Sequence, residues 1–276
     1  MTGTAAASVA CALAAAVLFA GGGVAQQRSA AAVPTSQSLL GSLVRSPRWW
    51  MGVLGDGGGY LLQVAALALG AVLVVQPLLV SSLLFALPMS AALTGQRITR
   101  RTWLLALALC AALVVFLVVG DPTERELDAA ARQWALPLGL ILGLTAVTVL
   151  TAAAGSRPHA AGILFGVTVA FTKHVTDLFT HGVVAVLGSW QTWALLVAGI
   201  TGAYLQQRAF QAGPLAASLP ALTIGEPLAA VFLCMTVLGE RLQVHGLGLV
   251  VVAAAVAVML TTTVALSRAQ AATAAG

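Results

Sequence analysis

Residues 221–233 read ALTIGEPLAAVFL and place one carboxylate, Glu226, near the middle of an apolar run over residues 213–238. A run of that length can cross a bilayer as a helix. A carboxylate at the centre of such a helix costs roughly 2.5–3.5 kcal/mol on insertion scales, so it normally has a partner or a function. The sequence therefore predicts a membrane helix organised around Glu226.

The residues on either side of Glu226 predict an irregular helix. Gly225 and Pro227 flank the carboxylate, and Pro220 lies further towards the N-terminus. Each proline removes a backbone hydrogen bond, and the glycine lets a neighbouring helix approach. This pattern is typical of a broken, site-forming helix in which the acid alternately binds a proton and a cationic or polar substrate. The competing interpretation is a structural acid, locked to a lysine or a backbone group.

The composition of the whole chain agrees with a membrane location. Of its 276 residues, 60% are hydrophobic and 8% are charged, and the mean hydropathy is +1.00. Soluble domains contain about 25% charged residues. The net charge of +5 is scattered through short loops, which argues against a nucleic-acid partner. No phosphate-binding, dinucleotide or zinc-protease motif occurs, so we expect no enzyme activity, no cofactor and no metal centre.

Apolar runs predict an all-α polytopic protein with about nine transmembrane helices in a lipid bilayer. The predicted spans cover residues 5–25, 48–69, 70–94, 102–120, 134–153, 159–181, 188–207, 213–238 and 246–266. Residues 38–46, SLLGSLVRS, are too polar to span and predict a short interfacial helix. We expect the first span to be retained, because no basic residue precedes it as in a signal peptide.

The arginines predict the orientation of the chain. With nine spans, the loops on one side hold nine arginines and those on the other hold three, together with the acids of residues 121–128 and Glu240. The positive-inside rule then places the C-terminus in the cytoplasm and the N-terminus outside, in the cytoplasmic membrane of a bacterium. The acidic segment is interpreted as a solvated external loop.

An internal repeat relates the second to fourth predicted spans to the seventh to ninth. Residues 60–65, YLLQVA, resemble residues 204–209, YLQQRA, and residues 95–97, GQR, resemble residues 239–241, GER. Five helices separate the two copies, so they have opposite orientation, as in many secondary transporters. The predicted division is residues 1–120 as a shortened four-helix repeat, 121–133 as the external loop, 134–266 as a five-helix repeat and 267–276 as a cytoplasmic tail.

Further polar groups within the spans are candidates for substrate or coupling-ion contacts. Asp56 lies in the glycine-rich stretch GDGGGY of residues 55–60, which favours close helix packing. The repeat pairs Gln63 with Gln207 and Tyr60 with Tyr204. These side chains can face a central cavity, or they can serve only to pair helices with one another.

A second group lies on the sixth span. Lys173 and Asp177 are four residues apart on one helical face and predict an ion pair, with His174 beside them. The pair can neutralise its own charges or form an outer gate. A third interpretation takes His174, Asp177 and His181 as metal ligands, and no further ligand lies nearby in the sequence.

Three motifs together resemble the second half of the drug/metabolite transporter superfamily, of the EamA-like type. They are GPLAASLP from Gly213, the Glu-Pro pair at 226–227, and LGERL at 238–242. The resemblance covers roughly residues 48–266, and it is weaker in the first half, where Gln96 replaces the acid and one helix is missing before residue 48. A nine-helix chain also resembles NIPA-type magnesium transporters.

The resemblance implies a secondary active transporter that exports small organic metabolites or drugs by alternating access, with protons as a candidate coupling ion. One alternative is a divalent-cation carrier, with Asp56, Glu226 and Asp177 as oxygen ligands for Mg²⁺. Another is a membrane scaffold or enzyme without a transport cycle. The sequence leaves the substrate open, and a homodimer is compatible with it.

Overall fold

The chain is an all-α polytopic membrane protein. The structure is a computed structural model that describes residues 3–33, 38–95, 97–123, 131–150, 157–212 and 215–275. Within these ranges the α-helices are α1 (Gly3–Ala31), α2 (Leu39–Val44), α3 (Pro47–Leu69), α4 (Val72–Val80), α5 (Ser82–Thr94), α6 (Arg100–Gly120), α7 (Ala131–Leu150), α8 (Arg157–Leu178), α9 (Val183–Gly188), α10 (Trp190–Ala212), α11 (Leu215–Leu233) and α12 (Leu247–Ala275). Two short strands, β1 (Pro122–Thr123) and β2 (Arg241–Leu242), form an antiparallel pair.

Each of the nine predicted spans coincides with helix in the described part of the chain, although two of them are not simple helices. The third is divided at Ser81 into α4 and α5, and the eighth ends in a π-helical turn over Cys234–Leu238. By length and apolar composition, five described helical segments can cross a membrane, namely Gly3–Ala30, Pro47–Leu69, Val72–Leu93, Arg100–Gly120 and Leu247–Ala269. Nine crossings therefore remain a prediction.

The glycines of α3 bring this helix into close contact with α1, as the sequence predicts. A Cβ atom at Gly55 would lie 3.2 Å from Cα of Gly22, and one at Gly59 would lie 2.9 Å from the Phe19 ring. Ser8, at the other end of α1, donates a hydrogen bond to the carbonyl oxygen of Ala66 at 2.8 Å. The two helices are therefore antiparallel along most of their length, with backbones too close for side chains at these positions.

A second close crossing joins α8 and α11. A Cβ atom at Gly225 would lie 3.2 Å from Cα of Gly162, and one at Gly166 would collide with the Ala229 side chain and the Glu226 carbonyl oxygen. The expectation that Gly225 admits a neighbouring helix is confirmed, and the neighbour is α8. Helix α10 packs against another face of α8, where Gly202 meets the Phe165 ring.

The turn between α3 and α4 is held by charged side chains from the second half of the chain. The Glu240 carboxylate accepts hydrogen bonds from the amides of Val72 (2.8 Å) and Leu73 (2.9 Å), the first residues of α4. The Lys173 ammonium donates to the carbonyl oxygen of Leu67, near the end of α3 (2.9 Å). A negative group thus lies at a helix N-terminus and a positive group at a helix C-terminus, which is the favourable arrangement for both dipoles.

Two expectations for the ends of segments change with the structure. Glu240, which the sequence analysis places on the arginine-poor side of the membrane, is only 2% exposed. The start of that loop, Pro122–Thr123, pairs with β2 instead of lying free, while residues 124–130 lie outside the described residues. The predicted tail continues α12 as helix to Ala275, because its alanine-rich sequence has high helix propensity. The short helix predicted in residues 38–46 is confirmed as α2.

Candidate functional site

Three side chains from three helices form a hydrogen-bonded relay in the interior. Nε2 of Gln26 on α1 donates to Oδ2 of Asp56 on α3 at 2.6 Å. Nε2 of Gln207 on α10 donates to Oε1 of Gln26, also at 2.6 Å. Gln26 is 5% exposed and Gln207 is 7% exposed, so both amides lie in the protein interior. The other oxygen of Asp56 lies against Gly22, where a Cβ atom would overlap it.

The relay fits between the helices because glycines line the face of α3 that packs on α1. Gly52, Gly55 and Gly59 remove side chains from the contact face of α3, which leaves room for Asp56 and for the Gln26 side chain. A Cβ atom at Gly52 would lie 2.6 Å from Cγ of Gln26. Asp56 is therefore held at a close helix crossing by a hydrogen-bond donor, rather than reaching out towards water.

Glu226 lies on α11, which packs on α8 and also contacts α4 and α10. Its side chain is half-buried, and its carboxyl group interacts electrostatically with that of Asp56. Among the described residues no group donates a hydrogen bond to the Glu226 carboxylate, and no cation pairs with either acid. Both acids therefore lie in membrane helices without a neutralising charge from the described part of the protein, which is costly unless a proton or another cation is taken up.

The other predicted substrate residues are only partly brought together. The Tyr60 hydroxyl, one turn beyond Asp56, forms a 2.6 Å hydrogen bond with that of Thr172 on α8, and Gln63 is buried at 3% exposure. Tyr204 is 47% exposed and has no hydrogen bond to the relay among the described residues, so its place in the site stays a prediction. The repeat pairs Tyr60 with Tyr204, but in the described part of the chain only Tyr60 contacts a neighbouring helix through its hydroxyl group.

The predicted ion pair on α8 is confirmed. Nζ of Lys173 lies 3.6 Å from Oδ1 of Asp177, and the lysine is 8% exposed while the aspartate is 50% exposed. Because Lys173 also binds the α3 carboxyl end, this pair belongs to the α3–α4 turn rather than to the Asp56 relay. His174 packs edge-on against Trp134, with ring centroids 5.6 Å apart.

The predicted metal ligand sets are not assembled. In the ranges that the structure describes, no three His, Cys, Asp or Glu side chains come together to hold a metal ion. Asp177 is engaged with Lys173, so the set of Asp56, Glu226 and Asp177 expected for Mg²⁺ is incomplete. His181 lies beyond α8 in a 3₁₀ turn, where its ring contacts the Thr180 hydroxyl, so it does not extend the row of His174 and Asp177.

The sequence predicts a break in the helix around Glu226, and this prediction is wrong because the helix is continuous there. Helix α11 runs from Leu215 to Leu233 and includes Pro220, Gly225 and Pro227 without interruption. The irregular geometry follows one turn later, in the π-helical turn Cys234–Leu238, which ends at Gly239 in the left-handed conformation (φ 71°). A proline lacks one donor, but membrane helices tolerate it where neighbouring helices pack against them, and α8 packs against α11 here.

Sequence reasoning missed Gln26 and the role of Glu240. Gln26 directly follows the end of the predicted first span, where a polar residue signals an interface rather than an interior position. The helix α1 instead continues to Ala31 and carries Gln26 into the bundle. A more useful signal was the Gln26-Gln27 pair itself, since two amides at the end of an apolar helix need buried partners if the helix continues.

The polar atoms that this site leaves without a partner are hydrogen-bond acceptors. Carboxylates accept only, and Oε1 of Gln207 is buried without a hydrogen-bond partner among the described residues. Glu226 adds a carboxylate that no described donor satisfies. Acceptors of this kind can bind a positively charged ligand or a proton.

One curated relative shows the family of this chain. A protein of Corynebacterium glutamicum described as uncharacterized is 34% identical over 271 residues, which cover 93% of each chain. No family model matches the sequence. No solved structure matches it either.

Proposed function

We propose that this chain, which belongs to the same family as the Corynebacterium glutamicum protein, is a secondary active transporter of the drug/metabolite transporter type. It exports small organic compounds by alternating access, and Glu226 and Asp56 exchange protons for substrate. Its place is the cytoplasmic membrane of a bacterium, with the N-terminus outside and the C-terminus in the cytoplasm, as the arginine distribution predicts.

The observation that carries this proposal is that Glu226 and Asp56, two acids of membrane helices, have no neutralising cation among the described residues. Their carboxyl groups interact inside the bundle, and no cation from the described residues pairs with either of them. A structural role would favour hydrogen-bond donors for Glu226, as Glu240 has, whereas Asp56 has only the Gln26 amide and no cation. Acids kept without partners within membrane helices are most often sites for ions, protons or substrates.

The contacts between helices support an inverted repeat, with boundaries different from those expected. Helix α1 packs on α3, α4 and α5, and α8 packs in the same way on α10 and α11. Helix α3 also contacts α8, while α10 contacts α1, and α6 packs on α12. This pattern pairs α1 with α8, so that each repeat begins with one of them and α7 lies between the repeats. Gly95 and Gly239, matched by the repeat, share the left-handed conformation (φ 72° and 71°).

The test is a current measurement on the reconstituted protein on a solid-supported membrane. The wild type is challenged with amino acids, organic amines and Mg²⁺ at two pH values, together with Glu226→Gln and Asp56→Asn. We expect a current with at least one organic compound that depends on the pH gradient and is lost in Glu226→Gln. A current with Mg²⁺ alone, or an unchanged current in Glu226→Gln, contradicts the proposal. Asp177→Asn serves as the control, because that acid lies with Lys173.

A further inference from the structure

We infer that the end of the bundle where the short helix α2 packs is a docking surface for the headgroups of anionic phospholipids, and that Arg45 and Arg48 bind the lipid phosphate there. This inference concerns the membrane around the protein. It goes beyond the proposed function and does not depend on it.

Five segments of the chain meet around α2. Leu43 of α2 is fully buried in an apolar cluster with Ala30, at the end of α1, and Ala161, near the start of α8. Trp49 of α3 and Leu205 of α10 pack against the same residues. We call these five residues the α2 cluster. Segments that are far apart in the sequence are thus held together at one end of the bundle.

Each of these five segments carries an arginine within four residues of its member of the α2 cluster. The sequence contains no aspartate or glutamate within seven residues of any of these arginines, which are Arg28, Arg45, Arg48, Arg157 and Arg208. The fold therefore gathers positive charge from distant parts of the chain and brings no acid from the same segments with it. Such a concentration of like charge attracts anions.

Two of the described acids lie at the opposite end of the bundle. Helix α3 begins at the α2 cluster and ends at the α3–α4 turn, where Glu240 binds the amides of α4. The ion pair of Lys173 and Asp177 lies at the same turn. The length of a membrane helix therefore separates these acids from the arginines around α2, so the anions that neutralise this end come from outside the fold.

The corner between α2 and α3 presents two of these arginines together. Arg45 ends α2 and Arg48 lies in the first turn of α3, and both are exposed. The indole N–H of Trp50 donates to the carbonyl oxygen of Val44 at 2.8 Å, which joins the two helices at this corner. Guanidinium groups bind phosphate oxygens with two hydrogen bonds at once. The corner thus offers the charge and the donors that a phosphate needs.

An apolar face of α3 continues from this corner and can hold the chains of the same lipid. Trp50, Leu54 and Leu61 are 46%, 73% and 70% exposed, and nothing lies within 4 Å of a Cβ atom at Gly57 on the same side. Helix α3 is long and apolar enough to cross a membrane, so lipid chains cover this face. Trp50 then lies at the headgroup level, where tryptophan is enriched. The phosphate of such a lipid lies near the arginines of the corner.

The charge at this end selects anionic lipids over zwitterionic ones. The headgroup of phosphatidylcholine carries its own cation, which the arginines repel, whereas phosphatidylglycerol carries only the negative charge. Each arginine near an anionic lipid surface contributes about fivefold to binding. A free phosphate ion has the same charge but leaves the apolar face of α3 uncovered, so it binds more weakly than a lipid.

The experiment is native mass spectrometry of the full-length protein released from detergent micelles, with phosphatidylglycerol and phosphatidylcholine of identical acyl chains as probes. We expect the wild type to bind the first phosphatidylglycerol about tenfold more tightly, or more, than the first phosphatidylcholine. In the double variant Arg45→Gln/Arg48→Gln the ratio falls to about twofold or less. If this variant does not fold, Arg45→Gln and Arg48→Gln alone should each give an intermediate ratio.

Arg132→Gln/Arg241→Gln is the matched control. It removes two exposed arginines from the other end of the bundle, because Arg241 follows Glu240 and Arg132 lies two residues before Trp134, whose ring contacts His174 near the end of α8. This variant keeps the wild-type ratio. Loss of the ratio in the control as well as in Arg45→Gln/Arg48→Gln would contradict the inference, since any two surface arginines would then have the same effect.

Thermal unfolding in a non-ionic detergent, followed by circular dichroism, provides an independent test. Phosphatidylglycerol should raise the unfolding midpoint of the wild type more than phosphatidylcholine does, and this difference should shrink at high salt, which screens the arginines. Inorganic phosphate should leave the midpoint unchanged. An equal rise with inorganic phosphate would mean that a soluble anion binds here instead. Equal binding of the two lipids by the wild type, or a wild-type ratio in Arg45→Gln/Arg48→Gln, overturns the inference.

Discussion

Glu226 and Glu240 lie fourteen residues apart on one stretch of chain, and the structure gives them opposite surroundings. Glu240 is 2% exposed and accepts hydrogen bonds from two backbone amides at the start of α4. Glu226 is half-buried and accepts none from the described residues, and no cation among them pairs with it. Glu226 lies inside the apolar run over residues 213–238, and Glu240 lies just after it. Residue type and local hydropathy therefore do not distinguish the two acids.

The difference shows that the role of an acid in a membrane protein depends on whether hydrogen-bond donors or cations surround its carboxylate. Glu240 neutralises the positive end of a helix and joins the two halves of the chain, so its charge is fully used by the fold. Glu226 has no such use within the described residues. We therefore interpret Glu240 as structural and Glu226 as functional, and each of the following experiments compares the two roles.

The largest loss of stability is expected for Glu240→Ala. This change leaves the amides of Val72 and Leu73 buried without an acceptor. Two hydrogen bonds to a charged group are worth about 3–6 kcal/mol together. Unfolding in mixed SDS micelles should show a loss of that order, and Glu226→Gln serves as the control. A loss below about 1 kcal/mol in Glu240→Ala would remove the structural role assigned to this acid.

Lys173→Met is expected to lower the free energy of unfolding by about 1.5–3 kcal/mol, because it removes the charged donor to the carbonyl oxygen of Leu67, near the end of α3. Asp177→Asn removes only the half-exposed partner of the same ion pair, so its cost should stay at or below about 1 kcal/mol. The same unfolding assay measures both variants. Equal losses would mean that the ion pair, and not the bond to the α3 carbonyl, holds the turn.

Gly225→Leu is expected to lower the free energy of unfolding by about 1–3 kcal/mol, since a side chain there would push α11 away from Gly162 of α8. Gly57 provides the control on α3, because nothing lies within 4 Å of a Cβ atom at that position. Gly57→Ala should raise stability by up to about 1 kcal/mol through helix propensity. Thermal unfolding followed by circular dichroism checks both. If Gly225→Leu were neutral, the α8–α11 crossing would not be as close as described.

The smallest effect on stability is expected for Glu226→Gln. The substitution keeps the shape of the side chain, and no described hydrogen bond to it is lost, so the change should stay within about 0.5 kcal/mol of the wild type. A loss comparable to that of Glu240→Ala would show that Glu226 also holds the fold together. The comparison between the two acids would then fail.

Local patterns in the sequence predicted much of this structure. The ion pair of Lys173 with Asp177 and the approach of α8 to Gly225 each depend on residues of one helix or on the lack of a side chain, so spacing and residue type suffice. The positions of the helices follow in the same way from apolar runs that a membrane requires.

Partners from distant parts of the chain could not be predicted. Glu240 binds amides 168 and 167 residues earlier, and Gln207 binds Gln26 across 181 residues. No periodicity within a helix contains such information. The irregular turn after α11 was expected at the prolines but occurs at Cys234–Leu238, next to the segment that Glu240 anchors.

The most direct test of the functional assignment measures substrate-induced current per folded protein for the wild type, Glu226→Gln and Glu240→Gln. The amount of folded protein in each sample is taken from size-exclusion chromatography before reconstitution. We expect Glu226→Gln to fold as well as the wild type and to carry no pH-dependent current. We expect Glu240→Gln to yield less folded protein, with a current per molecule close to that of the wild type. A wild-type current in Glu226→Gln would contradict it.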